Sequence, residues 1–118
     1  MYIFISHSSK EAEIANGICE SIEKTGNSCF LAPRDIRIGR EYAEELVEGI
    51  DRSDVVVLIL SNNSIASPHV LREIERAVSK KIPIIVYKLE EVELTKSMEY
   101  FLMTHQWLNA KSGNNYTE

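Results

Sequence analysis

Chemistry in this 118-residue chain could come from a few polar stretches set between apolar runs. Glu73 stands out by position. At about 100° per residue, Val70, Leu71, Ile74, Ala77 and Val78 form one apolar arc of a helix, and Glu73 lies at its margin. His69 falls on the same side one turn earlier, so a carboxylate and an imidazole share a core boundary. Glu75 flanks the opposite margin, and periodicity does not choose between the two acids. The ordinary alternative makes both of them surface acids paired with Arg72, Arg76 or Lys80.

Ser6-His7-Ser8-Ser9-Lys10 leads into a helix start, where free amides and the helix dipole favour phosphate or another anion. Simple capping by Ser8 accounts for the same residues. The stretch from Ala32 to Arg40 holds Arg34, Arg37, Arg40 and Asp35. In a chain of net charge -5 it is a local basic spot suited to phosphates or an acidic protein surface. Its plain alternative is a solvated loop in which Asp35 pairs with an arginine.

Several familiar chemistries lack their residues. Neither G-x-G-x-x-G nor G-x-x-x-x-G-K-[ST] occurs, so dinucleotide-fold and P-loop readings fail. No G-x-S-x-G elbow frames a nucleophilic serine. His7, His69 and His105 are scattered, and Cys19 and Cys29 form no Cys-x-x-Cys pair, so no metal is expected. Both cysteines sit within apolar patterns and are expected as buried free thiols of a reducing cytoplasm.

The elements that must position these residues alternate between strand and helix. Tyr2–Ser6 reads as a strand, and Ser8-Ser9-Lys10-Glu11 fits a capping box that opens a helix ending at Gly26-Asn27. Ser28–Leu31 is a second strand, and 41–50 a second helix. Val55–Leu60 is apolar on both faces, as a central parallel strand must be. Asn62–Ser64 turn the chain, and Ser67-Pro68 caps a helix running to about Ser79. A fourth strand follows at 82–87, weak helical character at 94–103, and a short fifth strand at 105–108. The expected fold is α/β and flavodoxin-like: three layers, a five-stranded parallel sheet and helices on both faces. Ligands in such folds bind beyond the carboxyl ends of the strands.

The bulk properties exclude other classes. One domain is expected over 1–110, with 111–118 a polar tail or the start of a linker to a missing domain. A chain of net charge -5 offers no field for a nucleic-acid backbone. The longest apolar run, Val55 to Leu60, is far below the roughly 20 residues of a membrane span, and no secretory leader is evident, so a cytoplasmic location is expected.

Taken together, these segments resemble the Toll/interleukin-1 receptor (TIR) domain. Tyr2-Ile3-Phe4-Ile5-Ser6-His7-Ser8 is similar to the first box of that family. Cys29-Phe30-Leu31-Ala32-Pro33-Arg34-Asp35-Ile36, with Gly39-Arg40-Glu41-Tyr42-Ala43, resembles the second strand and BB loop of bacterial members. Ser53 to Ser61 resembles the third strand, and Ser64, Ser67, Val70 and Glu73 fall where the family has its serine-rich loop and catalytic-glutamate helix.

The resemblance implies cleavage of NAD⁺ between nicotinamide and ribose, giving ADP-ribose or a cyclic isomer used in bacterial anti-phage signalling. NAD⁺ would be substrate, with no cofactor or metal. Glu73 would be the essential carboxylate, with Ser6, His7, Ser8, Arg34, Gly39 and His69 binding substrate. Many active relatives carry tryptophan where this chain has His69, which stacks less well on a ring. Pro33, Arg34, Asp35, Ile36 and Arg37 would form the interface of a homotypic filament or oligomer, driven by a fused or partner sensor domain. A non-catalytic TIR–TIR interaction module is the alternative. A phosphoacceptor receiver needs aspartates at the carboxyl ends of strands one and three, where this chain has Ser6 and Ser61.

Overall fold

The computed structural model describes residues 1–102 and, by backbone alone, 106–109. Strands β1 (Tyr2–Ser6), β2 (Ser28–Phe30), β3 (Val55–Leu60) and β4 (Ile84–Lys88) are described in full, and the backbone of β5 (Gln106–Asn109) pairs beside β4. All pairings are parallel, in the order β2-β1-β3-β4-β5. Helices α1 (Ala12–Glu23), α2 (Tyr42–Asp51), α3 (Asn62–Ile65), α4 (Pro68–Ser79) and α5 (Lys96–Leu102) connect them. The expected domain edge at Ala110, the tail 111–118 and His105 lie outside the described residues.

Strand alternation sorts the core into two layers. Phe4, Val56, Leu58 and Leu60 meet α2, α4 and α5 through Ile50, Val70, Ile74 and Met98. Ile3, Ile5, Val55, Val57 and Ile59 face the other way, onto Ala15 and Cys19 of α1. The continuous apolar run of β3 is buried throughout, as two covered faces require. Phe4 and Phe30 stack with ring centroids 5.3 Å apart, and Gly49 of α2 rides directly over Phe30. A β-carbon at Gly49 would stand 3.0 Å from the Phe30 ring, so the small residue sets the approach of α2 to the sheet.

This strand order reverses direction between β1 and β3. The helix after β1 packs on one face and the helices after β2 and β3 on the other, leaving a crevice beyond the strand ends. Asn62–Ser64, expected as a turn, lie in the short helix Asn62–Ile65, because Ser61 and Ser64 close a reciprocal capping box there. Strand β4 begins at Ile84 rather than Ile82; Pro83 has no N–H to donate, though its carbonyl accepts from the Val56 amide at 2.9 Å.

Candidate functional site

A cavity of about 700 Å3 opens at that reversal, with His7, Ser8 and Lys10 on one wall and Asn63, Ser67 and His69 on another. Ala32, Pro33, Tyr42 and Leu46 also line it, and Glu73 lines it from α4. The start of α4 fixes where Glu73 falls. Ser67 caps the helix, its hydroxyl accepting from the Val70 amide at 3.3 Å, and Pro68 occupies the first turn.

Glu73 is half-buried, and the Ser6 hydroxyl donates to its Oε1 at 2.6 Å. No cation pairs with it among the described residues. Arg76 is committed to Asp51 of α2 at 2.9 and 2.7 Å, and Arg72 is exposed. Burial pushes the Glu73 carboxyl up to about 7, against the smaller lowering effect of the Ser6 hydrogen bond. Glu75 is exposed and does not line the cavity, whereas Glu73 does.

A second carboxylate braces the cavity from behind. Glu11 is buried, accepting from Ser61 Oγ and from Asn63 Nδ2, each at 2.7 Å. This corrects the expected capping box at Ser8. Ser8 does cap, accepting from the Lys10 amide at 3.1 Å, but the turn it opens is a 3-10 turn, Ser9–Glu11. Glu11 has turned instead to two neutral donors at the end of β3, where it joins the loops after β1 and β3.

The arginine loop is neutralised by its own Asp35 and by carboxylates of α1 and α2. Arg34 donates to Glu23 Oε2 at 2.9 Å, to Asp35 Oδ2 at 2.8 Å and to the Cys29 carbonyl at 3.3 Å. Arg37 closes on Glu45 with Nη2–Oε2 at 2.7 Å and its own amide on Oε1 at 2.9 Å, and Glu48 adds a contact at 3.1 Å. Arg40 lies 3.8 Å from Glu45. The side chain of Glu45 is only 3% exposed, and Arg37 holds its carboxyl down at about 2. Gly39 has a φ of 82°, which a side chain tolerates poorly. Beside it, Ile38 is fully exposed.

The TIR domain model matches residues 3–118 of this sequence. The chain belongs to the TIR domain family. Among solved structures it is similar to the TIR domain of the Toll-related receptor TRR-2 from Hydra magnipapillata, with TM-score 0.76 and 19% identity over 89% of this chain and 82% of that one. It is also similar to the Clostridium botulinum CMP N-glycosidase BcmB, with TM-score 0.67 and 14% identity over 92% and 87% of the two chains. The TIR domains of the activated Roq1 resistosome, which recognises the effector XopQ, match with TM-score 0.68 and 16% identity over 75% of this chain and 57% of that one. Curated protein sequences give no match.

In this TIR domain the expected site residues separate into two groups. His7, Ser8, His69 and Glu73 line one cavity. Ser6 is fully buried and touches Glu73 without lining the cavity. Arg34 and Gly39 do not line it either, because Glu23 and Asp35 hold Arg34 on the flank of the loop. Asp35 does pair with an arginine, as the plain reading of that loop had it. Burial lowers the pKa of His7, whose Nδ1 is buried with no hydrogen-bond partner among the described residues.

Sequence reasoning passed over Glu11, Asn63 and Tyr42. Glu11 left a signal in the S-x-x-E spacing, which pointed to a local contact instead of the long-range one; Asn63 left one in its place just beyond the carboxyl end of the third strand, and Tyr42 in the BB-loop resemblance. Among the described residues no group of three or more His, Cys, Asp or Glu is placed to hold a metal, and no helix is long and apolar enough to cross a membrane. Cys19 and Cys29 are buried and free, and burial pushes the Cys29 thiol up to about 12.

Proposed function

We propose that this TIR domain cleaves the bond between nicotinamide and ribose in NAD⁺, with Glu73 as the catalytic carboxylate. One observation carries the reading: a half-buried carboxylate, free of any ion pair among the described residues, on the wall of the cavity at the switch point of the sheet. The chemistry suits such a group. The C1′–N bond breaks with its electron pair going to the nicotinamide ring, which leaves neutral, and positive charge develops on the ribose. An anion beside that ribose stabilises the charge. Water then attacks C1′ and gives up a proton to solvent to yield ADP-ribose, or a nucleophile of the ADP-ribose itself attacks C1′ and closes a cyclic isomer, with the same release of a proton.

The raised pKa fits this role. A carboxyl poised near 7 is partly protonated when free, and the cationic nicotinamide ring drawn against it favours the anion. His7, Ser8 and His69 stand where they could contact the rest of the nucleotide. Arg34 and Gly39 would reach substrate only if the loop rearranged. The similarity to a CMP N-glycosidase is congruent with a nucleotide N-glycosidic bond as target.

Activation would come from homotypic assembly through the 33–37 loop, driven by a sensor domain in bacterial defence. The fully exposed Ile38 beside that loop supports an interface there. The same observation favours the second reading, a non-catalytic TIR–TIR interaction module. The two divide on one assay: nicotinamide release from NAD⁺ by protein clustered on a support, with chromatography of the products. Release of nicotinamide with ADP-ribose or its cyclic isomer is expected. No release from the clustered protein would leave the interaction module.

A further inference from the structure

We propose that Ser6 is a positioning residue, whose buried hydroxyl fixes the orientation of the Glu73 carboxylate from behind and never touches substrate; this rests on Glu73 being the catalytic group. Strand alternation aims it. Phe4 and Ser6 point to the α4 side of the sheet, Ile3 and Ile5 to the α1 side. The α4-side row of β1 runs Tyr2, Phe4, Ser6, and its last residue places a fully buried hydroxyl directly beneath Glu73, 67 positions away in sequence.

A fully buried serine needs a partner, and among the described residues Glu73 is the one its hydroxyl bonds. The contact is 2.6 Å, the short distance of a hydroxyl donating to a carboxylate. It engages Oε1 and leaves Oε2 without a partner among the described residues, on a side chain that lines the cavity. One oxygen is thus anchored and the other presented. Without the anchor the carboxylate could turn toward solvent or the exposed Arg72.

Other charges do not take over this task. His7 and Lys10 after β1, and His69 on α4, face the same cavity without bonding Glu73. From the elements packed against α4, Asp51 of α2 is held by Arg76, Glu45 of α2 by Arg37, and Lys88 of β4 by Glu91. Lys96 and Glu99 of α5 are exposed, and α3 and β3 carry no titratable side chain.

The test is the carboxyl titration of Glu73, followed by carbon NMR in the wild-type chain, Ser6→Ala and Ser6→Cys. The alanine variant should titrate about one pH unit higher than wild type, because the hydrogen bond favours the anion. The cysteine variant, with its weak donor, should fall between. In the release assay Ser6→Ala should lower kcat about tenfold or more with KM nearly unchanged, and its pH profile should move with the titration. An alanine variant that is folded, by an unchanged amide spectrum, and titrates where wild type does would overturn the proposal. A wild type that releases no nicotinamide while the titration shifts as expected would instead overturn the functional reading, since the titration needs no turnover.

Discussion

Glu45 and Glu73 are both withdrawn from water, and they are treated in opposite ways. Glu45 is matched by the Arg37 guanidinium and backbone amide, and its carboxyl is held down at about 2. Glu73 receives one hydroxyl and no cation among the described residues, and its carboxyl rises to about 7. The first arrangement ties a loop to a helix and leaves the carboxylate nothing further to do. The second keeps an anion unsatisfied on a cavity wall, which costs stability but leaves the charge free for a ligand. Glu11 stands between them, buried with both oxygens met by neutral donors, and that is the signature of a brace.

The difference between the two carboxylates should show most strongly in the pH dependence of activity. If the Glu73 anion is the working form, kcat/KM for nicotinamide release should rise about a hundredfold from pH 5 to pH 8, bending near 7. A flat profile would mean that Glu73 does not supply the charge.

Stability gives the next effect. A carboxyl raised from 4.5 to about 7 contributes stability that is complete below about pH 4.5 and lost as pH rises through 7. Glu73→Gln removes that loss. Urea unfolding at pH 8 should find the variant more stable than wild type, by on the order of 3 kcal/mol, with the curves converging below pH 4.5. Glu11→Gln should cost about 1–3 kcal/mol in the same experiment, since an amide offers one acceptor to two donors.

Glu45→Gln should have the opposite sign to Glu73→Gln and a smaller size, because Arg37 is 55% exposed and water can replace the carboxylate around it. The stability from Glu45 is present above about pH 4.5 and is lost as pH falls toward 2. The variant should therefore melt lower than wild type at pH 7, with the gap closing in acid. Trypsin should also cut it faster at Arg37 and Arg40.

What the sequence could tell follows from the range of each interaction. The parallel sheet was legible because β3 is apolar on both faces, and α4 because Ser67, Pro68 and the apolar arc are all local. By helical period Glu73 was visible only as a margin residue, and the family resemblance alone set it apart. Its distinction from Glu75 depends on Ser6, which no helical period connects to it. The S-x-x-E spacing misled for the same reason, since Ser61 and Asn63 bind Glu11 from about fifty residues away. The Arg34–Asp35 pair was legible as one reading of the loop because the two are adjacent, whereas Glu23 was not, since it sits at the end of α1, eleven positions earlier and in another element.

If the account of the cavity is right, Glu73 is the carboxylate that works and Glu75 is not. Nicotinamide release from NAD⁺ by clustered wild type, Glu73→Gln and Glu75→Gln at pH 8 tests it directly. Wild type and Glu75→Gln should both release nicotinamide, and Glu73→Gln at least a hundredfold less. Release by Glu73→Gln at the wild-type rate would contradict it.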